Sequence, residues 1–235
     1  HAMRQCVGTD GGGFSFYIEE IFMQKFRTVA CRLLSIACNL FIMCVEPIAL
    51  PMSWSWGQEG IFTFYTEDCN IFAACVCALM AAGQLVCLFT GRELPRWLKQ
   101  LKFVAASCLL LTFLTVVFVL APIYGPDGLY VGLCTSSMLY HHLLNPLAAV
   151  LSLVLFEREP RLPRRAILWA LVPTVLYGGT LLALNLRGTV DGPYPFLQVQ
   201  VNGVPVTLAW LLGILLLNAL YAAVLWKVSG GRKEA

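Results

Sequence analysis

The chain has 235 residues, 59% of them hydrophobic and only 12% charged, with a mean hydropathy of +0.75. Soluble domains carry about a quarter charged residues, so the composition excludes one and points to a bilayer as the solvent. The net charge of +3 at pH 7 is small and gives no reason to invoke nucleic acid as a partner.

His1-Ala2-Met3 reads as a cloning scar, and nothing before Phe26 reads as a cleavable signal peptide. Between Phe14 and Phe26, the residues Ile18, Ile21, Phe22 and Phe26 share a face, which predicts a short interfacial helix. Apolar spans follow at 26–50, 66–90, 101–124, 136–156, 166–186 and 206–228. Each meets the roughly 20 residues needed to cross the hydrocarbon core. Together they consume most of the chain, which predicts one all-α integral membrane domain over 1–235, a polytopic six-helix transmembrane bundle.

The basic residues orient it. Arg4, Lys25, Arg27 and Arg32 form one cluster, and Arg92, Arg96, Lys99 and Lys102 a second. Arg158, Arg161, Arg164 and Arg165 form a third, and Lys227, Arg232 and Lys233 the last. The loops between, at 51–65, 125–135 and 188–205, carry none, and Arg187 alone breaks the alternation. Basic flanks mark the cytoplasmic side. Both termini are therefore expected in the cytoplasm, in a plasma membrane or a bacterial inner membrane.

Ten cysteines invite a metal or disulfide reading. No pair has zinc spacing, and Cys75 and Cys77 diverge by about 200° on a helix. Most serve as small apolar filler inside spans. Cys69 and Cys134 both fall near the outer face, where a bridge between them is conceivable. No metal and no cofactor is expected.

Polar residues in lipid are costly and mark faces turned toward protein. On the first span Arg32, Asn39 and Glu46 recur at seven-residue intervals, with Ser35 beside them. Thr66 and Asn70 lie one turn apart on the second, continued by Ala73, Cys77 and Gln84. His141 and Asn145 do the same on the fourth, continued by Ala148 and Ser152. Asn218 and Tyr221 share a face of the sixth. The direction of each span puts Glu46, Thr66, Asn70, His141, His142, Asn145 and Asn185 near the outer end, joined by Asp191 and Tyr194 from the last loop. A polar cavity opening outward accommodates them.

In the fifth span, Pro173 and Gly178-Gly179 predict a kink or a close helix crossing. In the last outer loop, Leu197-Gln198-Val199-Gln200-Val201 alternates before Asn202-Gly203, which predicts a β-hairpin capping the bundle mouth. The alternative there is an irregular linker.

The chemistry centres on Thr66 and His141. A threonine hydroxyl needs an adjacent base to become a nucleophile, and imidazole is the usual one. Asp68, Glu67 or Glu46 are candidates to orient that imidazole. Asn70, Asn145 or N–H groups at the start of the second span are candidates to stabilise an oxyanion. His142 points about 100° away from His141 on a helix, so at most one of the two is expected to face Thr66. Sequence grammar favours a plainer role for Thr66, because a threonine before Glu67-Asp68 is the pattern of an N-cap with acidic first-turn residues. Glu46 before Pro47 reads equally as the partner of a broken helix end.

The segment Phe64-Tyr65-Thr66-Glu67-Asp68-Cys69-Asn70 resembles the threonine-bearing segment of the androgen-induced and androgen-dependent TFPI-regulating protein family of transmembrane threonine hydrolases. His141-His142-Leu143-Leu144-Asn145-Pro146 is similar to that family's histidine segment. The resemblance is that of a distant, bacterial-type relative. It implies a lipid-ester hydrolase drawing substrate from the bilayer, of the class of fatty acid esters of hydroxy fatty acids. It maps the reactive threonine onto Thr66 and the essential histidine onto His141, by the distance to Pro146. The supporting or substrate-binding set is then Glu46, Asp68, Asn70, His142, Asn145 and Tyr194. Two other functions remain open: acyl transfer between lipids by the same pair, and a non-catalytic binder or transporter holding a ligand through Glu46, Asp68 and His141.

Overall fold

The computed structural model describes residues 11–157 and 161–230, without the side chains of 11–18 and Glu59. Among the described residues there is no β-strand, and six helices are long and apolar enough to cross a membrane. We label the helices α1 (Gly11–Gly57), α2 (Tyr65–Thr90), α3 (Arg96–Tyr124), α4 (Gly128–Cys134), α5 (Leu139–Phe156), α6 (Arg165–Leu186), α7 (Val199–Asn202) and α8 (Val204–Ser229). The short α4 and α7 lie in the loops that join spans. The expected spans match α2, α3, α5, α6 and α8 to within about five residues, whereas the first, 26–50, lies inside the much longer α1.

The arrangement follows from burial. In the most apolar window of α3, 61% of residues are buried, against 17% in those of α6 and α8. The central helix is accordingly α3, touching α2, α5, α6 and α8, while α1 packs on α2 and α5. Its Phe103, Ala106, Cys108 and Leu109 are fully enclosed, with Ala73, Val76 and Met80 of α2 against them. The exterior is apolar too: Phe89 is 89% exposed and Leu216 72%. In water such a surface would aggregate; in lipid it is the expected coat.

Several elements depart from expectation. The first helix runs unbroken from Gly11 to Gly57 through Pro47 and Pro51, so there is no separate interfacial helix and no helix end at Glu46. Ile21, Phe22 and Phe26 are exposed on it; the orientation of Ile18 lies outside the described residues, as do Arg4, Arg158, Arg232, Lys233 and His1-Ala2-Met3. The expected hairpin is absent: Pro195–Leu197 forms a 3-10 turn and Val199–Asn202 one α-helical turn. Asn185 explains this locally. Its Oδ1 accepts from the Val199 N–H at 3.2 Å, and its backbone carbonyl accepts from Gln200 Nε2. The alternating segment is thus pinned to the end of α6. Cys69 and Cys134 are both free thiols, one buried and one exposed.

Helix α6 continues through Pro173, and the close crossing falls at Gly178. A Cβ there would lie 3.0 Å from Leu211 of α8, whereas one on Gly179 would meet open space.

At the end rich in Lys and Arg, the expected α1 stripe builds a buried polar network. Lys102, placed by sequence with the cytoplasmic flank, is instead inside the bundle at 1% exposure. Its Nζ donates to Asn39 Oδ1 at 2.6 Å and lies 3.8 Å from Glu157 Oε1. Ser35, Asn39 and Ser152 all donate to that same carboxylate oxygen. Gln84 Nε2 donates to Ser35 Oγ, while Arg32 leaves the stripe to reach the Cys87 carbonyl. A buried ammonium and carboxylate persist only when paired and hydrogen-bonded, and four helices, α1, α2, α3 and α5, supply those partners.

Candidate functional site

Thr66 is not the N-cap. The capping position of α2 is Phe64, with extended backbone (φ −93°, ψ 131°), and no side chain caps it. Thr66 sits one residue inside the helix, where its hydroxyl turns into the bundle at 5% exposure.

There it meets His142 rather than His141. Thr66 Oγ1 lies 3.1 Å from His142 Nε2 and 3.4 Å from the Tyr194 hydroxyl. The other imidazole nitrogen, Nδ1, is 2.8 Å from the backbone carbonyl of Gly132. A carbonyl only accepts, so Nδ1 carries the proton. In the neutral ring Nε2 is then the acceptor aimed at the threonine hydroxyl, which is the tautomer a general base requires. The expected carboxylate orienter is replaced by a backbone carbonyl on α4.

Local structure explains both contacts. Residues 139–144 of α5 form a π-helical turn, wider than an α-turn and common at functional sites. The 100° offset assumed for an α-helix therefore does not apply to His141 and His142. Gly132 lets α4 close on α3: a Cβ there would come 2.8 Å from Val116 Cγ1. Its carbonyl thereby reaches the imidazole.

His141 is fully buried between two carboxylates. Its Nε2 is 3.2 Å from Glu46 Oε2 and its Nδ1 is 3.7 Å from Glu67 Oε1. Neither approach has hydrogen-bond geometry, and among the described residues the Glu46 oxygens find no donor. Glu67 Oε1 and Ser137 Oγ lie 3.1 and 2.9 Å from Ser53 Oγ and compete for its single O–H. Ser136 enters this turn with a positive φ of 45°, a strained choice for a non-glycine residue.

The two asparagines are committed elsewhere than to an oxyanion. Asn70 Nδ2 donates to the backbone carbonyls of Thr66 and His141, at 2.8 and 3.3 Å, and Asn145 Nδ2 donates to Asn70 Oδ1 at 2.9 Å. They tie α2 to α5. Asp68 faces away from this cluster, on a groove between α2 and α6.

The cavity differs from the polar one expected. A space of about 250 Å³ opens from Thr66 and Tyr194 between α3, α6 and α8, lined mainly by apolar side chains such as Leu111, Val116, Phe196, Leu211 and Ile214. Thr112, Thr115 and Thr174 add hydroxyls to those of Thr66, Tyr65, Tyr177 and Tyr194. Glu46, Glu67, His141 and His142 do not line it, so Thr66 is the member of the cluster that faces the cavity. Tyr194 closes the polar end, its ring stacked 5.2 Å from Phe196 and edge-on to Phe64. Burial raises its phenol well above the ordinary value, so it stays a hydrogen-bond donor. Among the described residues no cluster of His, Cys, Asp or Glu could hold a metal ion.

Sequence reasoning missed Gly132, whose role is carried by its backbone, and Ser53 and Ser137, which carried no spacing signal. No family model matches the chain, and neither a curated protein nor a solved structure does.

Proposed function

We propose that this membrane protein is an intramembrane lipid-ester hydrolase with Thr66 as nucleophile and His142 as base. The observation that carries the reading is the Thr66–His142 contact, in the base-competent tautomer, at the polar end of an acyl-sized apolar cavity. Such a cavity takes a hydrocarbon chain, each buried methylene contributing about 0.8 kcal/mol, and leaves the ester at the hydroxyl. The chain reaches it laterally from the bilayer, past Gly179 and Leu212.

Thr66 Oγ1 attacks the carbonyl carbon as its proton passes to His142 Nε2. The Gly132 carbonyl holds the imidazolium that forms. The negative oxygen faces the Tyr194 hydroxyl and the first-turn N–H groups of α2, which have no intrahelical acceptor. Collapse breaks the ester C–O bond, and His142 returns the proton to the leaving alcohol. Water, deprotonated by His142, then attacks the acyl-threonine, the acyl C–O bond breaks to release the fatty acid, and His142 returns the proton to Thr66 Oγ1. The first substrates to test are fatty acid esters of hydroxy fatty acids, the class implied by the resemblance described above. That resemblance maps the histidine onto His141, and the contact geometry favours His142 in its place. The proposed location is a plasma or bacterial inner membrane with Thr66 toward the outer leaflet.

The test is labelling of the purified protein with a fluorophosphonate probe, the adduct located by mass spectrometry. The expected adduct is on Thr66 and is lost in His142→Ala. Folded protein that takes no adduct at Thr66, although the probe reaches the cavity, would leave the site a ligand pocket.

A further inference from the structure

A second cavity stands back to back with the first. It measures about 470 Å³ and lies between α2 and α6, with Phe62, Tyr65, Phe72 and Tyr177 among its walls and Asp68 as the only charged side chain among the described residues that line it. Tyr65 and Tyr177 form the partition, their rings 5.1 Å apart, and both residues line both cavities. Each ring is fixed by its hydroxyl: Tyr65 shares a hydrogen bond with Thr174 Oγ1, and Tyr177 donates to the Thr63 carbonyl. Thr66, one residue from Tyr65, lines only the first cavity.

Asp68 makes no ion pair with a basic side chain among the described residues. The Lys and Arg clusters belong to the opposite end of the bundle, and Arg187, the exception, does not line this cavity. A carboxylate at the mouth of an apolar, four-aromatic cavity favours one ligand charge. Ammonium groups are held by aromatic faces and by carboxylates, whereas anions are repelled and neutral polar groups gain little. Leu176, Leu181 and Leu184 extend the cavity along α6, and Leu176 is 64% exposed on the apolar surface. The ligand therefore has a tail in the bilayer.

We infer that the groove between α2 and α6 binds a membrane lipid with an ammonium headgroup, its cationic nitrogen at Asp68 and its chain along Leu176–Leu184. The site is independent of the hydrolase reading, since it contains neither Thr66 nor His142.

The test uses a diazirine-bearing alkyltrimethylammonium probe with the full chain in maltoside micelles, and an alkyl sulfate probe of the same chain. The ammonium probe is expected to mark peptides from 62–72 and 173–190. Labelling should fall about fivefold in Asp68→Asn, the scale of a partly exposed ion pair, and be retained in Asp68→Glu. Phosphatidylcholine should compete and tetraethylammonium should not. Thr66→Ala should label like the unaltered chain, whatever becomes of the hydrolase reading. Equal marking of these peptides by the sulfate probe, unchanged labelling in folded Asp68→Asn, or competition by tetraethylammonium would overturn the assignment. Should Asp68→Asn not fold, the ammonium-to-sulfate comparison on the unaltered chain decides alone.

Discussion

Thr66 meets His142 at 3.1 Å, and one residue along each helix Glu67 faces His141 at 3.7 Å. Consecutive residues of α2 therefore pair in reverse order with consecutive residues of α5, and the two histidines do different work. His142→Ala is expected to reduce ester turnover by about 10²- to 10⁴-fold, the usual contribution of a general base, with little change in thermal midpoint. His141→Leu removes the ring between two buried carboxylates and should cost about 3–5 kcal/mol of stability. Thermal unfolding in detergent beside ester hydrolysis separates them. A folded, fully stable and inactive His141 variant would return the base to His141.

Tyr194→Phe keeps the ring against Phe64 and Phe196 and deletes only the hydroxyl. Turnover is expected to fall by about 10²-fold, as for loss of one oxyanion donor, with KM nearly unchanged. Because burial holds the phenol above its ordinary value, Tyr194 stays protonated below about pH 10. The pH–rate profile of the unaltered protein should therefore show no limb from Tyr194 from about pH 6 to 9, and the variant's profile should keep its shape. A limb lost in the variant would contradict this.

Gly132→Ala tests the orientation of His142. The new methyl meets Val116 Cγ1 at 2.8 Å, and relief of that contact draws the carbonyl away from Nδ1. With the tautomer no longer fixed, kcat should drop by at least about tenfold while binding of a non-hydrolysable ester analogue persists. Unchanged kcat in the folded variant would mean that the carbonyl does not orient the base.

Lys102→Met should destabilise the bundle by about 3–5 kcal/mol, because it leaves Glu157 buried without its cation. Adding Glu157→Gln should recover part of that loss, since the amide needs no counter-charge. Thermal midpoints of the three variants in one detergent measure the coupling, and additive losses would show that the pair is not a unit.

The sequence by itself determined the six helices, because a bilayer leaves the backbone few choices and charge marks the ends of each span. It also determined which faces turn inward: Ser35 and Asn39, Thr66 and Asn70, His141 and Asn145 are all buried. What it could not decide was rotation at the level of single residues. The π turn at 139–144 changed which histidine meets Thr66. The carbonyl of Asn185 and its side chain turned an alternating strand-like segment into helix. Gly132 entered the site through a main-chain atom that no side-chain pattern reports. Lys102 was assigned to a flank because its partner, Glu157, lies 55 residues away and is brought close only by packing. Span and face are set by each residue's own solvation, which sequence records; contact is set by how helices seat on one another, which only the tertiary structure decides.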